Sequence, residues 1–132
     1  MANPIGRPPG PQNRRFASIP RGFDGCIYAA ELSNGLLKVG FSRNPRTRMG
    51  ALAKQVRREF GAQIARFHVG DDMAERAAIR AEMSLIKRIG RLGVVVPGRV
   101  EFFQHVAFGA AVTLVRQLSR QPSHRSTANA KA

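Results

Sequence analysis

Residues 25–52, GCIYAAELSNGLLKVGFSRNPRTRMGAL, decide how this chain begins to fold. Two short runs of apolar and branched residues, 27–32 and 36–41, flank the turn-forming sequence Ser33-Asn34-Gly35, so the stretch predicts a β-hairpin. The pair Asn44-Pro45 suits the N-cap and the first position of a helix, because a missing N–H has no consequence there. The segment therefore predicts two antiparallel strands, a short loop and a helix.

The predicted helix runs from Pro45 to about residue 59 and is amphipathic. Its apolar residues recur at helical spacing and form one stripe, made of Met49, Leu52, Ala53, Val56 and Phe60. Arg46 and Arg48 flank this stripe on opposite sides, and periodicity alone does not distinguish between them as functional residues. Further basic side chains extend the solvent-facing surface, namely Lys54, Arg57 and Arg58.

The register of the hairpin decides which side chains share a face. If Asn34-Gly35 is a two-residue turn, Glu31 lies opposite Lys38, whereas a three-residue loop places Ala30 opposite Lys38. Only the second register puts Tyr28 and Lys38 on the same face, because a slip of one residue moves every side chain to the other side. Both registers give plausible apolar faces, so the pattern leaves the choice open.

The remaining elements follow from their periodicity. Residues 63–69 alternate and predict a third strand, and residues 73–89 predict a second helix. Residues 94–96 form a short extended piece before the turn at Pro97-Gly98. Residues 105–119 predict a last helix. The predicted fold is α+β, with a small three-stranded antiparallel sheet in the order β-β-α-β-α-α.

Composition divides the chain into one domain and two tails. Residues 1–22 are proline-rich, basic and free of acids, and they predict a disordered arm. Residues 23–119 form the predicted domain, and the polar residues 120–132 predict a disordered C-terminal tail. The N-terminus lacks an apolar segment of signal-peptide type, so a cytoplasmic setting in a bacterium or virus is expected.

The charge of the chain is its strongest global signal. The formal net charge is +14, from 22 basic and 8 acidic residues. Both the domain and its tails are cationic, which favours nucleic acid over a membrane surface as the partner. Cys26 is the single cysteine, so the chain has neither an internal disulfide nor a paired-cysteine zinc site. We also find no phosphate-binding glycine loop.

The second predicted helix carries two glutamates beside apolar residues. Glu75 and Glu82 lie on the same flank, next to Ile79, Ile86 and Ile89. A carboxylate in such a place needs a partner, a metal ion or a raised pKa. Asp72 and Glu75 also have the spacing of a capping box, so Glu75 has an alternative role at the helix start. The two glutamates are about 10 Å apart along the axis, too far to share one ion, so Glu82 is the other candidate metal ligand.

Several of these residues occur in an ordered pattern across residues 24–104. The pattern consists of Tyr28 in Cys26-Ile27-Tyr28, the triplet Lys38-Val39-Gly40, the pair Asn44-Pro45, and Arg48 eight residues after the glycine. It resembles the core of the GIY-YIG nuclease superfamily, in particular its compact phage-type branch. The resemblance implies the hairpin register that places Lys38 beside Tyr28.

The resemblance also implies an activity, which is divalent-metal-dependent hydrolysis of DNA by an endonuclease. Tyr28 would activate or orient the attacking water, and Lys38 would favour its phenolate by charge. Arg48 would bind the scissile phosphate, and Glu75 would hold Mg²⁺ or Mn²⁺. The expected partner is duplex DNA. The basic residues expected to bind its backbone are Arg43, Arg46, Lys54, Arg57 and Arg58.

Two positions differ from the family pattern. Lys38 replaces the tyrosine of the second triplet, and Ile79 stands four residues after Glu75, where related domains place a histidine. A domain of this fold that binds DNA without cutting it is therefore one alternative function. A small basic RNA-binding protein is another, although its composition gives no aromatic platform for stacking bases.

Overall fold

Strands and helices follow one another in the order β-β-α-β-α-β-β-α. The computed structural model describes the backbone of residues 15–131 and the side chains of residues 15–120. The strands are β1 (Cys26–Leu32), β2 (Leu37–Ser42), β3 (Ile64–Val69), β4 (Val94–Val96) and β5 (Arg99–Gln104). The helices are α1 (Pro45–Phe60), α2 (Glu75–Leu92) and α3 (Phe108–Lys131).

The sheet has five antiparallel strands in the order β3-β1-β2-β5-β4, so the predicted three-stranded sheet is wrong. The two additional strands, β4 and β5, form a hairpin through Pro97-Gly98, with a φ of 78° at Gly98. β5 pairs with β2 through Phe102 and Phe103. These two phenylalanines are buried on opposite faces of the sheet. Because both faces are apolar, the strand lacks the alternation by which a strand is recognised.

The register of the first hairpin is the one that the three-residue loop predicts. Ala30 pairs with Lys38, and Tyr28 pairs with Gly40. The loop is closed by two backbone hydrogen bonds, in which the Gly35 N–H donates to the Leu32 carbonyl and the Leu32 N–H donates to the Leu36 carbonyl. Gly35 has a φ of 90°, which side-chain-bearing residues rarely adopt. Tyr28 and Lys38 therefore lie on the same face of the sheet.

Each face of the sheet is covered by helices. One face packs against α1 and contains the buried residues Tyr28, Ala30, Leu32, Leu36, Met49, Leu52, Val56, Ile64 and Phe102. The other packs against α2 and α3 and contains Ile27, Ala29, Leu37, Val39, Ala78, Ala81, Leu85, Ile89, Phe103, Ala111, Val115 and Leu118. Cys26 is buried, and burial raises the pKa of its thiol to about 12.

The helix starts differ in how their backbone groups are satisfied. At the start of α1, the Asn44 side chain accepts a hydrogen bond from the Thr47 N–H, as the sequence predicts. At the start of α2, the N-cap residue is Ala74, which offers no side-chain cap. The Asp72 carboxylate instead accepts from the backbone N–H groups of Asp24 and Gly25. The capping-box alternative is therefore wrong.

Part of the predicted N-terminal arm belongs to the folded structure that is described. Phe16 and Ile19 are buried on the α1 face. Arg15 donates to the Ile64 and Ala65 carbonyls at 2.6 and 3.2 Å, and Arg46 donates to the Ile19 carbonyl at 2.9 Å. The rest of the predicted arm, residues 1–14, lies outside the described residues.

At the other end of the chain, α3 extends into the predicted C-terminal tail, of which the structure describes no side chain beyond Arg120. Within the part of the chain that is described, none of the helices combines the length and the apolar character that a membrane span requires.

Candidate active site at the junction of β2 and β5

β2 and β5 are joined over a short distance and then separate. Their pairing consists of Leu37 with Phe103 and Lys38 with Phe102. β2 continues from there to Ser42, and β5 begins at Arg99, with no further ladder pair between them in the described residues. Side chains from both faces of the sheet meet at this separation. We call the group formed by Tyr28, Lys38, Arg48, Glu82 and Glu101 the junction site.

Tyr28 is held against the backbone of Gly40, its partner across β1 and β2. A Cβ atom at position 40 would lie 2.6 Å from the Tyr28 hydroxyl oxygen and 2.8 Å from Cζ. The tyrosine side chain is buried, with 1% of the residue exposed. The glycine of the second triplet is therefore required by packing, because the ring occupies the space that any side chain would need.

Replacing Gly40 by alanine is expected to destabilise the protein by about 1–2 kcal/mol, as overpacking does in other cores. The added methyl group must displace the Tyr28 ring. Urea unfolding followed by circular dichroism measures the loss. In a Tyr28→Leu background, Gly40→Ala is expected to have a smaller effect, because leucine lacks the ring atoms and the hydroxyl that the added methyl group would contact. An equal loss in both backgrounds would show that the strain lies elsewhere.

Lys38 is a buried cation that is paired with Glu101. Its side chain is 8% exposed and forms an ion pair with Glu101, which is 37% exposed. The ammonium also donates to the Val39 carbonyl at 3.1 Å. It lies 5.7 Å from the centre of the Tyr28 ring and 5.5 Å from that of Phe102. The predicted adjacency of Lys38 and Tyr28 is thus present, and Glu101 balances the charge.

A pair of carboxyl groups from α2 and β5 completes the acidic side of the junction site. Burial raises the pKa of the Glu82 carboxyl above its ordinary value, and the charge of Glu101 and a hydrogen bond with it act in the same direction. Lys38 and Arg48 oppose this shift. The two carboxyls therefore lie near each other, and both cations act on Glu82.

The same charges act on Tyr28. Burial raises the pKa of the phenol well above its ordinary value; Arg48 opposes the shift, while Glu101 and Glu82 add to it. The phenol is consequently neutral near pH 7. The expected role of Lys38, stabilising a phenolate, finds no support here, because its charge is balanced by Glu101.

Arg48 lies on the flank of α1 that is turned toward β5. Glu59 is three turns further along the same flank and forms an ion pair with Arg99 of β5, which fixes this orientation. Arg48 itself is exposed and forms no ion pair with any residue that the structure describes. Its guanidinium is thus available to an anion, whereas that of Arg46 is engaged by the Ile19 carbonyl.

Glu75, the expected metal ligand, occupies a different place. It is the first residue of α2, is 49% exposed, and forms an ion pair with Arg43 at 3.3 Å. It is not among the charges that act on Tyr28. Glu82, two turns further along the helix, is the residue of α2 that reaches the junction site.

The basic residues expected to bind DNA have unequal environments. Lys54, Arg57 and Arg58 are exposed on α1, and Arg58 lies 3.9 Å from the Glu59 carboxylate. Arg46 is half-buried and donates to the Ile19 carbonyl. Arg43 is exposed but paired with Glu75. The outer surface of α1 therefore offers three unburied cations, and Arg46 has a structural contact instead.

The two acids of the junction site would suit a cation for which substrate and water supply most of the ligands. No group of three or more histidine, cysteine, aspartate or glutamate side chains in the described residues is placed to hold a metal. Mg²⁺ is commonly bound by one or two carboxylates together with phosphate oxygens and water. The Glu82 and Glu101 pair has this donor set. In the sequence, Glu101-Phe102-Phe103 resembles an acidic-aromatic signature of the compact GIY-YIG domains, which implies a capping or orienting role for Glu101 and no catalytic one. Its place in the site depends on Lys38, which pairs with its neighbour Phe102.

Comparison with models of known protein families, with curated proteins and with solved structures finds no match to this chain. Membership of the GIY-YIG superfamily therefore stays a prediction from the residues.

Proposed function

We propose that the protein is a divalent-metal-dependent DNA endonuclease and that the junction site is its active site. One arrangement supports this proposal most strongly. Lys38, ion-paired with Glu101, lies 5.7 Å from the centre of the Tyr28 ring, and the charge of Arg48 acts on both Tyr28 and Glu82. A phosphodiester hydrolase needs a group that orients water, a cation for the phosphate, and acids for a metal ion. A cytoplasmic location, as the sequence predicts, would give such an enzyme access to DNA.

In this proposal Tyr28 and Arg48 handle the reacting groups. Because burial keeps the phenol neutral, Tyr28 orients the attacking water by hydrogen bonding instead of holding a negative charge beforehand. Arg48 binds the scissile phosphate and stabilises the negative charge that grows on its oxygens. Lys38 holds Glu101 in place through their ion pair, so it is a positioning residue.

Glu82 and Glu101 would hold Mg²⁺ or Mn²⁺ between their carboxylates. The bound ion would polarise the phosphate and stabilise charge on the leaving oxygen. Glu82 takes the role that the resemblance gave to Glu75. The raised pKa of Glu82 fits this assignment, since two carboxyls that repel each other gain from a cation between them.

DNA affinity in this proposal comes partly from the outer surface of α1. We expect the double variant Lys54→Gln/Arg58→Gln to lower the steepness of the plot of log K against log salt concentration by about 1.8, since each phosphate contact contributes about 0.9. These residues lie one turn apart, on the same side of the helix. Fluorescence anisotropy with a labelled duplex measures the slope. The control is the double variant Arg88→Gln/Arg91→Gln, which removes the same charge from α2, on the opposite face of the sheet. It is expected to leave the slope nearly unchanged.

A second candidate function, DNA binding without cleavage, is favoured by the burial of Tyr28. With 1% of the residue exposed, the phenol needs a local movement before it contacts a phosphodiester. A binder would retain the basic surface and lack turnover.

Plasmid cleavage distinguishes the two functions. We expect the purified protein to nick or linearise plasmid with Mg²⁺ or Mn²⁺ and not with EDTA, and Tyr28→Phe and Arg48→Ala to lose cleavage while keeping DNA binding. An intact plasmid together with salt-sensitive retardation would instead support the binding module. Tighter binding of structured RNA than of duplex DNA at equal salt would contradict both and support the RNA-binding alternative.

A further inference from the structure

A cleft lies on the α3 face of the sheet, between the end of β3 and α3. Its lining residues are His68, Gly70, Asp71, Arg116, Ser119 and Arg120, and its volume is about 330 Å³. We call it the α3 cleft. It shares no residue with the junction site.

Two arginines give the α3 cleft its positive charge. Arg116 and Arg120 are one helical turn apart on α3 and both line the cleft. Neither forms an ion pair with an acid among the residues that the structure describes. Guanidinium groups in this arrangement favour an anion with several oxygens, for which they offer directed N–H donors.

A buried hydroxyl at the wall of the cleft lacks a partner. The Ser119 Oγ is enclosed and has no hydrogen bond to any part of the chain that is described, and the residue is 5% exposed. It lies against Gly70, where a Cβ atom would come within 2.4 Å of the Oγ. Buried hydroxyls almost always have a partner, so this one points to an acceptor supplied from outside.

Asp71 and His68 define which anion fits. His68 is neutral near pH 7, because burial and the Arg116 charge both lower its pKa, and it offers a single ring N–H. The Asp71 carboxylate can only accept hydrogen bonds, so it repels an anion without a proton and accepts from one that carries a P–OH group. Sulfate and phosphodiesters carry no such proton near neutral pH.

We propose that the α3 cleft binds a protonated phosphate group, either inorganic phosphate or a phosphomonoester. Arg116 and Arg120 would contact its charged oxygens, and Asp71 would accept the hydrogen bond from its P–OH. The enclosed Ser119 hydroxyl would donate to another oxygen once its side chain turns toward the cleft. A terminal phosphate on a nucleic-acid strand also carries a P–OH group while it is singly charged, a form that it loses above its second pKa of about 6. The internal phosphodiesters of the strand have no such group.

Isothermal titration calorimetry of the full chain at pH 6.5 and constant ionic strength tests this proposal. Inorganic phosphate is expected to bind with saturation, and sulfate to bind at least about tenfold more weakly, since it cannot donate to Asp71. Arg116→Gln is expected to weaken phosphate binding by about tenfold or more. Arg88→Gln, which removes an equal charge from α2, is the matched control and is expected to leave the affinity unchanged.

Two further measurements make the outcome decisive. Asp71→Asn is expected to abolish the preference for phosphate over sulfate, because an amide can donate to either anion. Short oligonucleotides with a 5′-phosphate or a 5′-hydroxyl distinguish a strand end from free phosphate as the ligand. Equal affinity for phosphate and sulfate in the unaltered protein, or unchanged phosphate binding in Arg116→Gln, would overturn the proposal. Neither result depends on whether the junction site cleaves DNA.

Discussion

Replacing Glu82 by glutamine is expected to reduce DNA cleavage by about a thousandfold or more. The substitution keeps the shape of the side chain and removes the charge that would hold the metal ion, and a loss of about 4 kcal/mol of transition-state stabilisation corresponds to that factor. The rate of conversion of supercoiled plasmid at saturating Mn²⁺ measures the effect. DNA affinity measured by anisotropy is expected to be unchanged or slightly higher, because one negative charge is lost.

Glu75→Gln is the matched control for this prediction. The two glutamates lie on the same flank of α2, but Glu75 is exposed and paired with Arg43. We expect Glu75→Gln to retain cleavage within about threefold, since surface ion pairs have small energies. The opposite pattern, with cleavage lost in Glu75→Gln and kept in Glu82→Gln, would show that the metal ion binds at the start of α2.

Replacing Glu101 by leucine is expected to destabilise the protein by about 3 kcal/mol. Lys38 would then remain in the sheet without its partner, and an unpaired buried charge has a cost of about 3–5 kcal/mol. We expect the lower end of this range, because Glu101 is 37% exposed and Glu82 stays nearby. Urea unfolding at pH 7.5 gives the free energy of unfolding.

The double variant Lys38→Met/Glu101→Leu separates the buried charge from the loss of packing. An apolar pair of similar volume is often as stable as the ion pair that it replaces. We therefore expect the second substitution to restore most of the stability lost in Glu101→Leu, with a coupling energy of about 2 kcal/mol. If Lys38→Met and Glu101→Leu are instead additive, the ion pair makes no net contribution and Lys38 must be solvated.

The residues of the first hairpin and α1 are well predicted because their signals are local. Ser33-Asn34-Gly35 marks the loop and Asn44-Pro45 marks the helix start, and both act over a few residues of chain. β4 and β5 are different. Val94–Val96 is three residues long, and the Phe102-Phe103 pair is buried on both faces, so neither strand shows the expected alternation.

The candidate site was predicted in part for the same reason. Tyr28, Lys38 and Arg48 come from consecutive elements, and the hairpin register together with the pitch of α1 brings them toward one place. Their acidic partners come from α2 and β5, far away in sequence. A helical-wheel projection of α2 puts Glu75 and Glu82 on one flank. It does not show which turn of the helix lies beside β2, because it gives the angle of a residue around the axis and not its position along the axis.

The sequence by itself determined the α+β character, the hairpin, the amphipathic α1 and the cationic surface, because turn chemistry, helical period and charge are local properties of the chain. Only the tertiary structure decided that Glu82 and Glu101, and not Glu75, lie with Tyr28 and Arg48. That choice depends on how far α2 extends along the sheet and on where β5 leaves β2. Both are set by the packing of Leu85, Ile89 and Phe103 in a core shared by distant segments.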